Sequence, residues 1–123
     1  MGRNILLVGF GSMLGGIARY LVTLLAAQYS SSGFYYGTFA ANITGCFLIG
    51  MVAGMAERFE FISPELRLFL AVGICGGYTT FSSFAYENIL LLQQKDYAVF
   101  FIYTAASIIV GLTAVLAGLW LTR

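Results

Sequence analysis

Gly73-Ile74-Cys75-Gly76-Gly77-Tyr78-Thr79-Thr80-Phe81-Ser82-Ser83-Phe84 is the stretch whose reading decides the fold. It lies inside an apolar run from about Leu66 to Leu92, longer than the ~20 residues a helix needs to cross a bilayer. Its middle nevertheless holds paired glycines followed by four hydroxyl residues. In hydrocarbon, an interrupted helix survives only where neighbouring protein or a watery cavity satisfies the freed backbone groups. The pattern therefore predicts a spanning helix broken at Gly76–Thr80, with a lined path or a binding site at the break.

The whole chain supports a membrane setting. Of its 123 residues 60% are hydrophobic and 9% charged, with a net charge of +1, far more apolar than a soluble domain of this size. Six basic residues spread singly make no patch for nucleic acid. The absence of histidine removes imidazole-dependent hydrolysis, common zinc sites and an imidazole proton relay, so an enzyme is not expected. Cys46 and Cys75 both fall in apolar runs, where a small buried thiol fits better than a disulfide framework or metal pair. The first run is not a cleavable signal, because Arg19 sits late within it.

Four apolar runs emerge, at about Ile5–Ala27, Phe34–Ala56, Leu66–Leu92 and Tyr97–Leu121. Their connections are Ser30-Ser31-Ser32-Gly33, a charged segment from Glu57 to Glu65 with the sole proline, and Gln93 to Asp96. Residues 1–123 thus read as a single all-α, four-span membrane domain.

Gly9-Phe10-Gly11-Ser12-Met13-Leu14 begins like a dinucleotide fingerprint but lacks the third glycine and a preceding strand; Gly11 and Gly15 instead share a helix face suited to close packing. Arg19 has two readings, a cation facing a cavity or a side chain snorkelling to the interface. In the second span Gly37, Ala41, Gly45, Gly50 and Gly54 provide small faces, and Thr38 and Asn42 stand one turn apart on a polar stripe. Asn42 is either inter-helix glue or a ligand for a desolvated anion. Phe81 and Phe84 share a face amid Thr80, Ser82 and Ser83, which aromatic packing alone would also explain. Glu87 follows a turn later, an intramembrane carboxylate that is by default functional or paired. Tyr103, Ser107, Gly111 and Ala114 form a strip on the fourth span.

Taken together, Gly73, the run Gly76 to Phe84, Gly37-Thr38 before Asn42, Arg19 behind paired glycines, and Tyr103 with Ser107 resemble the Fluc (CrcB) fluoride ion channels along the whole chain. The resemblance implies an antiparallel, dual-topology homodimer in the cell inner membrane with two passive fluoride pathways and a structural sodium ion (Na+) at the dimer interface. It also implies residue roles. Phe81 and Phe84 would present ring edges to the ion, Asn42 would be the pore asparagine, and Ser82, Ser83, Tyr103 and Ser107 would add hydroxyls, with Thr38 extending the stripe. The carbonyls of Gly76 and Thr79 would bind sodium, and Arg19 would stand in the vestibule. Tyr78 departs from the family pattern, where a smaller apolar residue is common, and Ser83 stands where threonine is frequent.

Elementary physics agrees with these roles. Fluoride is small and strongly hydrated, so a pore must replace its water with neutral donors, and an aromatic ring edge is electropositive. Arg3, Arg58, Arg67 and Arg123 against Lys95 and Arg19 favour termini inside only modestly, which permits dual topology. Two rival readings remain open from the residues alone: a small proton-coupled exporter of cationic drugs, in which Glu87 would act as the coupling carboxylate, and a non-transporting packing subunit.

Overall fold

Long apolar sequences without an interior proline propagate as helix, and the computed structural model, which describes residues 1–28 and 34–123, is all-helical with no strand among those residues. Helix α1 spans Gly2–Ala27 and α2 spans Tyr36–Arg58. The third segment runs from Pro64 to Gln93 through α3 (Pro64–Arg67), a π-helical stretch (Leu68–Cys75), α4 (Gly76–Tyr78) and α5 (Phe81–Gln93). Helix α6 spans Tyr97–Thr122. All four segments are long and apolar enough to cross a bilayer, and the chain is a multi-pass membrane protein.

The Ser30-Ser31-Ser32-Gly33 connection lies outside the described residues. The second connection is shorter than the charge pattern suggested: Glu57 and Arg58 complete α2, and Pro64 and Glu65 already belong to α3. The reason is local. Ser63 caps α3 by accepting from the Leu66 amide at 3.1 Å, and Pro64 supplies a helix-ready φ at the first position. The third connection closes tightly. The Asp96 amide donates to the Leu91 carbonyl at 2.9 Å and the Lys95 amide to Leu92 at 3.1 Å, with Lys95 at φ 59°. This is a Schellman closure carrying lysine where glycine is usual.

Packing is organised by glycines. Helix α1 lies against the π-helical stretch and α4 so closely that a Cβ on Gly11 would meet the Phe69 carbonyl at 2.8 Å and the Cα of Gly73 at 2.9 Å. Helix α2 nests on α6 in the same way, with Gly50 against the Val115 carbonyl and Gly118 against Phe47. Bilayer helices associate without a hydrophobic driving force, so such close approach supplies the dispersion that joins them. Phe10 and Ile17 on α1, and Ile109, Leu116 and Trp120 on α6, are exposed on the chain. At the end holding both termini, Arg3 pairs with Glu65 at 3.1 Å and Arg123 with Glu57 at 3.5 Å. Both pairs are exposed and contribute little.

Candidate functional site

Between α4 and α5 the backbone of Thr79 (φ −87°, ψ 158°) and Thr80 (φ −150°, ψ 122°) is extended. A helix that stops in this way leaves its last carbonyls and the next helix's first amides without helical partners. Side chains take them over. The Thr80 amide, which a continuing helix would give to Gly76, donates instead to Asn42 Oδ1 at 2.7 Å, and Asn42 Nδ2 donates to the Thr80 carbonyl at 3.0 Å. The carboxamide of α2 thus pairs with one extended residue as a neighbouring strand would. One of the two N–H groups of Asn42 is spent here.

Further polar contacts hold the same region. The Thr79 amide and hydroxyl both donate to the Cys75 carbonyl at 3.0 Å. Thr80 Oγ1 caps α5, accepting from the Ser83 amide at 3.2 Å, and lies 3.3 Å from Ser82 Oγ. Arg19 Nε donates to the Gly77 carbonyl at 3.4 Å, so this guanidinium sits at the carbonyl end of α4, where a cation is favoured. The Tyr78 hydroxyl meets Thr44 Oγ1 at 2.8 Å, tying α4 to α2.

A cavity of about 410 Å³ opens beside this junction. Its walls include Asn42, Gly76, Thr79, Thr80, Phe81, Phe84 and Ser107. Thr38, Ser82, Ser83, Tyr103 and Arg19 are not on those walls. The Phe81 and Phe84 rings are 5.9 Å apart and tilted by 47°. Phe81 is 78% exposed, so filling this chain's own core does not explain it. Phe84 continues the line inward, with its ring 5.1 Å from that of Tyr103.

Tyr103 is fully buried, and its hydroxyl donates to Glu87 Oε1 at 2.6 Å. Thr38 Oγ1 donates to the other carboxylate oxygen at 2.7 Å. Glu87 therefore joins α5 to α2 and α6 at once. Glu87 follows Phe84 by one turn of α5, and Thr104 donates to the buried Asn88 alongside it at 3.3 Å.

A family model described as CrcB-like protein, Camphor Resistance (CrcB), matches residues 6–119. The chain belongs to the CrcB family. A protein of Flavobacterium psychrophilum named fluoride-specific ion channel FluC is 43% identical over 121 residues, 98% of each chain. One of the same name from Chlorobium luteolum is 46% identical over 116 residues, 94% of this chain and 89% of that one. Another, from Phocaeicola vulgatus, is 38% identical over 121 residues, 98% and 99% of the two chains. These CrcB relatives are named as channels, not enzymes.

Two features of this CrcB chain were not read from its sequence. One is the identity of the partners of Glu87, which lie 49 and 16 residues away and share no local motif with it. The other is the Tyr78–Thr44 contact. The sequence signal for it was a phenol at a position where the family commonly has an apolar side chain.

Proposed function

We propose that this chain is a fluoride-specific channel of the bacterial plasma membrane that lets fluoride leave the cell passively. The observation that carries the reading is near-full-length identity of 38–46% to proteins bearing that name. The site chemistry supports it. Asn42 offers a spare amide N–H, Phe81 and Phe84 offer electropositive ring edges, and Ser107 adds a hydroxyl on the same cavity. These are neutral donors, which compensate a desolvated anion without the deep well that a fixed charge would create. In this reading the break expected at Gly76–Thr80 narrows to the extended Thr79–Thr80 pair, since Gly76–Tyr78 continues as helix, and Asn42 satisfies the backbone there.

The functional unit in this reading is an antiparallel homodimer with two pathways. A second copy would cover the open cavity and the exposed Phe81 ring. Sodium fits the same junction. The Gly76 carbonyl loses its helical amide to Asn42, it lies in the last turn of the helical stretch that ends at Tyr78, and Gly76 and Thr79 both line the cavity. Neutral oxygens at a helix C-terminus suit a hard monovalent cation, and Gly76 and Thr79 of two subunits would hold it structurally. Arg19, Thr38, Ser82, Ser83 and Tyr103 extend the polar route away from the cavity.

The exporter alternative lacks support: α1 carries no carboxylate, and the relatives are named as ion channels. The test is efflux from potassium-loaded liposomes with valinomycin, read by a fluoride electrode. Fluoride release without chloride release is expected; fluoride retention with proton-coupled uptake of a cationic dye would contradict the reading.

A further inference from the structure

One helix, α2, holds the chain on both sides of Thr79. After it, Asn42 accepts from the Thr80 amide at 2.7 Å and donates to the Thr80 carbonyl at 3.0 Å; before it, the Tyr78 hydroxyl lies 2.8 Å from Thr44 Oγ1. Residues 78 and 80 are thus tied to residues 44 and 42. The direction of the Tyr78 tie follows from counting protons. Thr44 gives its single hydroxyl proton to α2's own backbone, with the Ala40 carbonyl at 2.7 Å and that of Ala41 at 3.3 Å, so Tyr78 is the donor between the two hydroxyls. A hydrogen-bonded chain runs from the phenol through Thr44 into the α2 backbone.

The rest of Tyr78 is equally confined. Its ring lies over Gly45, where an added Cβ would come within 3.1 Å of Cδ2, and its amide nitrogen backs on Gly15 of α1, where an added Cβ would come within 2.8 Å. The helical stretch ends at Tyr78 and the backbone is extended immediately after it. No helical ladder therefore fixes the direction of the Thr79 carbonyl, which depends on what holds residues 78 and 80.

We propose that Tyr78 is a positioning residue for the cation junction: its bond to Thr44 fixes the Thr79 carbonyl and so strengthens sodium binding at Gly76 and Thr79, an inference that rests on the sodium reading above. With an apolar side chain at position 78, Asn42 alone would tie this segment to α2 by hydrogen bonds. A carbonyl that is already placed needs no ordering when the cation arrives, so the second tie acts on affinity. Both hydroxyls lie mid-span, where little water competes for the bond.

The experiment follows the thermal unfolding midpoint of the purified full chain in detergent as sodium replaces N-methylglucamine, and reads the sodium concentration that gives half of the stabilisation. The variants are Tyr78→Phe, Thr44→Val, the two combined, and Thr44→Ser, which keeps a hydroxyl. We expect the half-stabilising sodium concentration to rise at least threefold in Tyr78→Phe and in Thr44→Val, to rise no further in the combination, and to stay within twofold of the parent in Thr44→Ser. A brace that merely joins α4 to α2 would lower the midpoint equally with and without sodium and leave the half-stabilising concentration unmoved. That result, in either single variant that folds, or a combined shift equal to the product of the single ones, overturns the inference while leaving the sodium site standing. A parent midpoint indifferent to sodium would refute the sodium reading, and this inference with it.

Discussion

Replacing Asn42 by aspartate changes one nitrogen into an oxygen at the centre of the site. The bond from the Thr80 amide to Oδ1, 2.7 Å long, survives and gains charge assistance. The bond from Nδ2 to the Thr80 carbonyl, 3.0 Å long, is replaced by two facing oxygens. Losing that half-buried bond costs about 1–3 kcal/mol, partly offset by the strengthened partner, so the helices should still assemble. The effect on the ion is larger. A unit negative charge about 4 Å from fluoride raises its energy by roughly 4 kcal/mol at an effective dielectric constant near 20. At about 1.4 kcal/mol per decade that is close to a thousandfold in rate. We expect Asn42→Asp to run as the parent assembly on size-exclusion chromatography and to lower initial fluoride efflux from liposomes by at least a hundredfold. Efflux within threefold of the parent, from an assembly of the same size, would refute a role for this carboxamide beside the ion.

Phe81→Ile should keep the assembly and lower fluoride efflux at least tenfold, a barrier increase of about 1.4 kcal/mol, because it removes a ring edge that the chain's own core does not need; unchanged efflux would return both phenylalanines to a packing role. Exchange of sodium for N-methylglucamine during purification should lower fluoride efflux, with recovery on adding sodium back, and equal efflux in both conditions would remove the cation from the Gly76–Thr79 junction. Lys95→Gly should raise the thermal unfolding midpoint in detergent, since lysine at φ 59° forgoes about 1 kcal/mol relative to glycine in the left-handed region; a lowered midpoint would show that the lysine side chain stabilises the turn more than its backbone strains it.

The sequence carried the four spans because bilayer thickness imposes an unambiguous length and hydropathy on each helix. Asn42, Phe81, Phe84, Gly76 and Thr79, singled out from the polar residues of the second and third spans and from the resemblance, lie on the walls of one cavity. Their partners were less legible. Asn42 could be read as glue or as a ligand, and the structure has one N–H acting as glue to Thr80 with the other left over. The strip of Thr38 with Asn42 on the second span and that of Tyr103 with Ser107 on the fourth were visible from helical spacing, yet spacing within one helix says nothing of what lies on another, so the common acceptor Glu87 was not. The limits of the second connection were misjudged by charge: Glu57, Arg58 and Glu65 looked like loop residues, but they occupy helix ends, where Ser63 and Pro64 determine the boundary.

The most direct test of fluoride conduction is the reversal potential of the purified chain in a planar bilayer under a tenfold fluoride gradient with chloride equal on both sides. A tenfold gradient is worth about 1.4 kcal/mol, and at about 2.3 kcal/mol per elementary charge per 100 mV it balances near 60 mV. A fluoride-selective channel gives a current that reverses at about that potential, with the sign of fluoride moving down its gradient. Reversal near zero, as chloride selectivity would produce, or the absence of any current from an intact assembly, would contradict the assignment.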